Sequence, residues 1–382
     1  MLGRPLEYAS LKTVLFHLDA NLRFEINLRM PSIRKIEKVV PLKICDLSIK
    51  EFSTRVNNTE YRLGIYHHYL SGKVPLSVQD KHREGGFEQD FDEFGFPLSS
   101  KRSDLLPGDV SVRRISFRYD TEEIEAHYRQ NLRPRQLAKE RYNELTANGV
   151  TVLQYLRQVM FGDGDEVPIA DDEATHEERQ IRDNLMRTIG RPNWLDREIE
   201  DLETKLIPFD CRRNQSKPPF TCYIQLTIQK ENSKIIQRFE YNKKLFEAVK
   251  QLNEFLFGCR TFPIYVSNFE FDYKSIDGRS IYRLPIGFSV HATNVDTSEN
   301  MIAKKNFKSI LKNSENLNSL RIHGHFNRGI NFRNPAILNS KICITVFINE
   351  STKVKVSYEQ LKTDEQRDYG LNCDHILIMR IV

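Results

Sequence analysis

The stretch from Pro5 to Pro41, PLEYASLKTVLFHLDANLRFEINLRMPSIRKIEKVVP, constrains this chain more than any other. Leu11, Val14, Leu15 and Leu18 recur at helical spacing and give one short helix an apolar stripe. Asp19 and Asn21 supply cap-type residues before Leu22. From Leu22 to Met30 the period is ambiguous. Leu22, Phe24, Ile26, Leu28 and Met30 alternate like a strand, whereas Leu22, Ile26 and Arg29 share one side of a helix. Ile33, Ile36 and Val40 return to helical spacing, and Pro41 stops the run because its ring cannot continue a helix. Three helices this short cannot bury all of these side chains on themselves. The surplus must face either the rest of the chain or another protein.

Beyond Pro41 the chain alternates between patterned and unpatterned segments. Leu42–Ile49 alternates as a strand, and Thr54–Tyr66 reads as a hairpin turning at Asn57-Asn58. Between Leu70 and Leu106 the pattern gives way to a polar loop, and Asp109–Arg118 recovers strand character. Asp120–Phe161 is charged and helical, with interruptions expected at Pro134 and at Asn148-Gly149. Gly162–Gln180 is acidic and aperiodic, as in a linker, and Trp194–Leu206 predicts a helix that ends by Pro208. Cys222–Ile228 and Ile235–Tyr241 read as paired strands. Leu245, Ala248, Val249, Leu252, Phe255 and Leu256 then define the clearest helix, closed by Gly258. Past that helix, strand-like cores recur at Ile264–Phe271, Phe288–Val295, Leu320–His323, Ile342–Ile348 and His375–Ile381. Leu317-x-x-Leu320-x-Ile322 has the phrasing of a leucine-rich repeat, although a mixed sheet with helices on one side fits equally well.

The pattern therefore predicts an α+β chain. A short N-terminal helical module (1–41) precedes a strand and hairpin region (42–119), a charged helical insert with an acidic linker (120–207), and a C-terminal strand–helix domain (208–382), with irregular leucine-rich-like repeats as a possible form of the last. No apolar run approaches the ~20 residues needed to span a bilayer, so no membrane partner is expected. The six cysteines are scattered and the N-terminus lacks an apolar signal core, which points to a reducing compartment, cytoplasmic or nuclear.

The N-terminal stretch resembles an F-box. That family opens with a Leu/Pro pair, then a leucine-spaced helix, an Asp-containing turn and two more short helices. Pro5-Leu6, Leu11-Val14-Leu15-Leu18 and Asp19 stand in those places. Arg29-Met30-Pro31-Ser32-Ile33 stands where the family has a Val-Ser/Cys-(Lys/Arg)-x-Trp cluster, but here there is no Trp, and Pro31 falls inside it. KPPFTCYIQLTI, YNKKLFEAVKQLNEFLFGCRTFPIYVSNFEF, IYRLPIGF and the hairpin NNTEYRLGIY resemble a nematode-expanded group, the F-box C proteins, which carry an uncharacterised domain. The likeness spans most of the chain apart from a charged insert between about Thr121 and Arg197. It implies a substrate receptor that binds a Skp-family adaptor and, through a cullin scaffold, presents targets to a ubiquitin ligase. An adaptor interface of the helix-in-groove kind needs apolar residues left exposed in the free chain, and Pro5, Leu6, Leu11, Leu15, Leu18, Leu22 and Ile26 are the residues placed to supply it. The competing reading packs the same residues on the chain's own first strand, leaving an interaction module whose F-box has degenerated.

Chemistry is sparse. His323 and His325 share a strand face, yet a metal needs a third ligand nearby, and nothing in the sequence requires His291 or Cys343 to lie on a neighbouring strand. Cys373-Asp374-His375 places thiol and base on opposite faces of a strand. No CxxC pair, GxSxG elbow or HExxH helix occurs, so the expectation is a non-enzyme without catalytic residues, metal or cofactor. The basic stretches, Arg129–Arg141 and Lys304–Lys312, carry few aromatics, and 57 basic residues stand against 52 acidic ones. They read as solvated helix faces rather than a nucleic-acid interface.

Overall fold

The computed structural model describes residues 7–98, 104–111, 120–161, 175–271, 281–298, 305–311, 314, 317–324, 340–348, 353–359 and 377–378. The chain divides into two compact units: Met1–Gly64 with Lys101–Ser116 and Ile224–Val382, and Ile65–Ser100 with Phe117–Tyr223. The α+β expectation holds, and its sheet is large and mixed.

The first unit begins with α1 (Tyr8–His17), α2 (Ala20–Arg29), a 3₁₀ turn (Pro31–Ile33) and α3 (Arg34–Lys38). The ambiguous segment is therefore helical. Asp19 settles it: its side chain accepts from the Asn21 backbone N–H, capping α2 at the first turn. β1 (Lys43–Ile49) follows, then the hairpin of β2 (Ser53–Val56) and β3 (Thr59–Tyr69). Its turn lies where expected, with Asn57 in the left-handed region at φ 52°, which Asn tolerates better than most residues. β3 leaves this unit at Gly64, and β7 (Phe220–Lys230) re-enters it at Ile224.

β8 (Ser233–Glu240), α9 (Leu245–Phe257), β9 (Ile264–Phe271), β11 (Val290–Ser298), β12 (Leu317–Gly324), β13 (Ser340–Ile348), β14 (Lys353–Glu359) and β15 (Leu377–Ile378) complete the unit's main elements, with a separate two-stranded pair of β6 (Val110–Ser111) and β10 (Ile281–Tyr282). Among the described residues the sheet runs β15-β14-β13-β12-β11-β9-β1-β2-β3-β7-β8. β1, β9, β11, β12 and β13 are mutually parallel neighbours, while β1–β2, β2–β3 and β13–β14 are antiparallel. Strands with one face on the core alternate buried and exposed residues, and the buried ones align across neighbours into rows. Here Leu47, Phe269, Val295 and Leu320 form one such buried row, with Ala20 and Phe24 of α2 and Leu256 and Phe257 of α9 in the same core. Each large side chain buried this way contributes roughly 1.5–3 kcal/mol. Gly258 follows α9, and space rather than handedness requires glycine there: its φ is −70°, and a Cβ would stand 2.6 Å from the Glu254 carbonyl oxygen.

The second unit holds α4 (Leu76–Arg83), the short strands β4 (Asp90–Phe91) and β5 (Pro97–Leu98), α5 (Glu122–Ala147), α6 (Val152–Phe161), α7 (His176–Met186) and α8 (Trp194–Arg213). α5 runs on through Pro134, where the sequence predicts a break. The carbonyl that loses its helical donor there is that of Gln130; Arg135 Nη1 donates to the neighbouring Asn131 carbonyl at 2.8 Å, and Pro134 itself is buried. α8 likewise continues past Pro208, because the adjoining Phe209 is buried against Phe96, with ring centroids 4.8 Å apart. The linker is shorter than its composition suggests. Thr175 and Glu178 form a capping box that starts α7 inside the stretch read as aperiodic. Residues 162–174 lie outside those described, as does most of the strand expected at Asp109–Arg118.

Candidate functional site

The N-terminal helices are fixed to the rest of the first unit by buried ions. Glu37 of α3 is fully buried, and its Oε1 accepts from Arg23 Nε of α2 at 3.0 Å and from Arg260 Nη2, just past α9, at 2.9 Å. Arg23 also donates to the carbonyls of Glu37, Val40 and Pro41, so one guanidinium closes the end of α3. Burial pulls the Glu37 carboxyl upward, but Arg260, Arg23 and Lys38 outweigh it and hold the group below the usual carboxylate range. Lys38 is pushed down to about 8 by burial and by Arg260, and its Nζ donates to the Phe255 carbonyl at 2.7 Å.

This anchoring sorts the residues singled out in the sequence. Leu15 is 1% exposed in a small cluster with Ile33 and Val40, and Leu11, Leu18 and Ile26 pack half-buried against that cluster. Leu22 faces solvent at 44% exposure, while Pro5 and Leu6 lie outside the described residues. Other exposed apolar side chains on the same segment are Tyr8, Val14, Met30 and Leu28, the last 61% exposed. A depression of about 250 Å³ lies alongside, lined by Lys12, Thr13, Phe16, Val39, Val40 and Pro41.

A second feature lies on the sheet. Asp46, Asn268, Asn294 and Ser319 occupy matching register positions on β1, β9, β11 and β12. They form a continuous polar row. Asn268 Nδ2 donates to Asp46 Oδ1 at 2.8 Å, Asn294 Nδ2 to Asn268 Oδ1 at 3.0 Å, and Ser319 Oγ to Asn294 Oδ1 at 2.9 Å. At the hairpin end, the Cys45 and Asp46 backbone N–H groups donate to Asn57 Oδ1. A charged row runs beside it, with Arg55 paired to Glu270 at 3.1 Å and Arg321 to Asp296 at 3.4 Å. Together the rows line a groove of about 390 Å³. Sequence reading misses them, yet a signal exists. Ile44-x-x-Leu47-x-Ile49, Val266-x-x-Phe269-x-Phe271, Ala292-x-x-Val295-x-Thr297 and Leu317-x-x-Leu320-x-Ile322 each carry Asp, Asn or Ser just before their middle apolar residue.

Neither the groove nor the depression is lined by a His or Cys side chain among the described residues. Among the described residues no group of three or more His, Cys, Asp or Glu side chains could hold a metal ion. His323 lies on β12, and His325, Cys373, Asp374 and His375 fall outside the described residues. Cys222 is pushed up to about 12 by burial and by Asp90, which disfavours a thiolate nucleophile. The Arg129–Arg141 arginines and lysine are engaged by carboxylates: Arg129 by Glu125 and Asp210, Arg133 by Glu177, Arg135 by Glu198, Lys139 by Asp196 and Arg141 by Glu144. Among the described residues no helix is long and apolar enough to cross a membrane.

His67, in the second unit, is a histidine used as core. Its ring stacks on Phe220 at 3.9 Å and on Phe87 at 4.4 Å, and Nε2 has no hydrogen-bond partner. Burial, and His82 beside it, push it down to about 3. The folded form thus holds the ring neutral, whereas the unfolded chain protonates it near 6.5. The stability it contributes is complete above pH 6.5 and is lost as pH falls toward 3, at up to about 1.4 kcal/mol per pH unit. Urea unfolding of the second unit should lose about 2 kcal/mol more between pH 6.5 and 5 in the natural chain than in His67→Phe. Equal losses in both would assign the acid sensitivity to carboxylates instead.

Residues 244–377 match a domain of unknown function (DUF3557). The DUF3557 span starts at the first turn of α9 and reaches into β15, so it supplies Asn268, Glu270, Asn294, Asp296, Ser319 and Arg321 to the polar groove. Asp46 and Arg55 come from outside the DUF3557 span, as do α1, α2 and α3. No curated protein and no solved structure matches the chain.

Proposed function

We propose that the chain is a non-enzymatic substrate-recognition subunit of F-box-like type, which binds a Skp-family adaptor and presents a target protein to a cullin-RING ubiquitin ligase in the cytoplasm or nucleus. The observation carrying this reading is the division of labour in the N-terminal helices. Their inner side is fixed by Arg23, Glu37 and Arg260, while Tyr8, Val14, Leu22, Leu28 and Met30 stay exposed. Scattered exposed leucines are ordinary, but so many on helices held rigid in the free chain suit a docking surface that needs little ordering on binding. The polar groove over β1, β9, β11 and β12 supports target capture there, since its mixed donors and acceptors suit a polypeptide.

The second reading, an interaction module with a degenerate F-box and no ligase role, draws on the same ion cluster. It makes the helices part of the first unit's core, and the sequence lacks the Trp of the F-box pattern. Binding to purified Skp-family adaptors separates the two. Leu22→Asp with Leu28→Asp should weaken saturable binding by about 10- to 100-fold, the loss of one or two buried leucines, with thermal unfolding unchanged. Leu15→Asp is unsuitable for that purpose, because its side chain is interior. A folded natural chain that binds no adaptor paralogue leaves the second reading standing.

A further inference from the structure

Among the described residues β8 ends the sheet, and each of its eight residues is exposed. Edge strands of soluble proteins are commonly kept short, bulged or covered. This one is regular, has no Pro, and shows Ile235, Ile236 and Phe239 to solvent at 46%, 43% and 50% exposure. A two-residue turn, Glu231-Asn232, joins it to β7. In such a hairpin the flanking residues, Lys230 and Ser233, exchange backbone hydrogen bonds. The Arg238 Nε contact to Gln225 Oε1, at 3.1 Å, fits that register. Alternation then turns the backbone N–H and C=O groups of Ser233, Ile235, Gln237 and Phe239 toward β7. Those of Lys234, Ile236 and Arg238 point outward, where a further strand would meet them, as does the N–H of Glu240, whose carbonyl accepts from the Asn242 N–H at 2.9 Å.

We infer that β8 pairs antiparallel with β8 of a second copy of this chain, about a two-fold axis through Gln237. The sequence Ser-Lys-Ile-Ile-Gln-Arg-Phe-Glu is self-complementary in that register. Lys234 lies opposite Glu240 of the second copy, Ile235 opposite Phe239, Ile236 opposite Arg238 and Gln237 opposite itself, and the first three pairings each occur twice. Opposite charges and aromatic–β-branched pairs are the cross-strand combinations that stabilise a sheet, and like charges directly opposite destabilise it. A slip of two residues in one direction sets Lys234 against Arg238, and in the other sets Arg238 against itself. The charges therefore select both the occupant and its register. The outward groups of Ile236 and Arg238 bond across the axis, which leaves Gln237 in a non-hydrogen-bonded pair with Cα atoms about 4.5 Å apart, within disulfide reach.

Sedimentation of the full chain, with charge-swap variants, tests the pairing. A concentration-dependent dimer is expected. Lys234→Glu and Glu240→Lys should each weaken it about tenfold, and the double swap should restore it. Oxidised Gln237→Cys should give a covalent dimer, whereas Lys230→Cys, beyond the paired segment, should not. A chain that stays monomeric throughout the accessible concentration range overturns the inference. So does a dimer indifferent to the swaps and to Gln237→Cys, which would place the contact on another surface. These readouts are independent of adaptor binding, so failure of either proposal leaves the other testable.

Discussion

Replacing Glu37 with Gln is expected to destabilise the first unit by about 3–5 kcal/mol, the cost of removing one partner from a buried ion cluster. The substitution barely alters side-chain volume, so packing is not the cause. Glu37 is the carboxylate between two buried guanidiniums, Arg23 and Arg260, and both sets of donors lose their shared acceptor charge at once. Burial already lowers both arginines from their ordinary value, opposed chiefly by Glu37. Arg260→Met should cost less, because it leaves Arg23 and Glu37 as a balanced pair. The double variant should be more stable than additivity predicts by more than about 0.5 kcal/mol, since the two residues share one interaction. Urea midpoints for the four chains check this. A Glu37→Gln loss under about 1 kcal/mol, well short of the buried-pair cost, would show that water screens the cluster, and the helices would no longer count as fixed. The outcome bears on the proposed function, because the exposed Leu22 and Leu28 keep one orientation only while α2 and α3 are held by these ions.

Much of the fold is legible in the sequence because it follows short-range periodicity. α9 repeats Leu245, Val249, Leu252 and Leu256 at helical spacing, and the β2–β3 hairpin has Asn57 at its turn, so both are legible without tertiary information, although the buried Lys250 and Asn253 of α9 are not. Pro134 and Pro208 defeat the sequence reading for the opposite reason. A local rule about the ring is overridden by packing it does not weigh, the burial of Pro134 itself and of Phe209 against Phe96. The N-terminal leucines show a subtler limit. Spacing identifies their apolar stripe but not what covers it. Leu15 faces Ile33 and Val40, while Leu28, which the ambiguous period leaves unassigned, faces solvent. The polar groove requires register between strands more than 200 positions apart, such as Asp46 beside Asn268. Each strand alone offers only an ordinary Asn or Asp, and the row exists only once they align.

Asp109 carries the second large expected effect, and it too depends on partners distant in sequence. Local patterning makes it merely the first residue of a strand. In the structure its side chain is fully buried between Lys250 of α9, at 3.1 Å, and Arg283, at 2.6 Å, and it also accepts the Leu106 backbone N–H at 2.9 Å. Lys250 further donates to the carbonyls of Pro107 and Leu284, and Arg283 to that of Asp104. The segment 104–111 is thereby tied to α9 and to the chain after β10 through one carboxylate. Gly108 shows how close the approach is: at φ +90°, a Cβ there would stand 2.6 Å from the Leu284 carbonyl oxygen. Asp109→Asn should therefore cost about 3–5 kcal/mol, since two interior cations lose their counter-charge. Adding Lys250→Met to Asp109→Asn should recover part of that loss, because one stranded charge is removed along with its desolvation cost. Lys250→Met alone should be milder than Asp109→Asn, as Arg283 and Asp109 remain paired. Limited proteolysis is a second readout. If the carboxylate is what holds the segment, cleavage between Asp104 and Ser111 should appear in Asp109→Asn before global unfolding. Loss of stability without local cleavage would mean that α9 and the segment fail together, as one cooperative element.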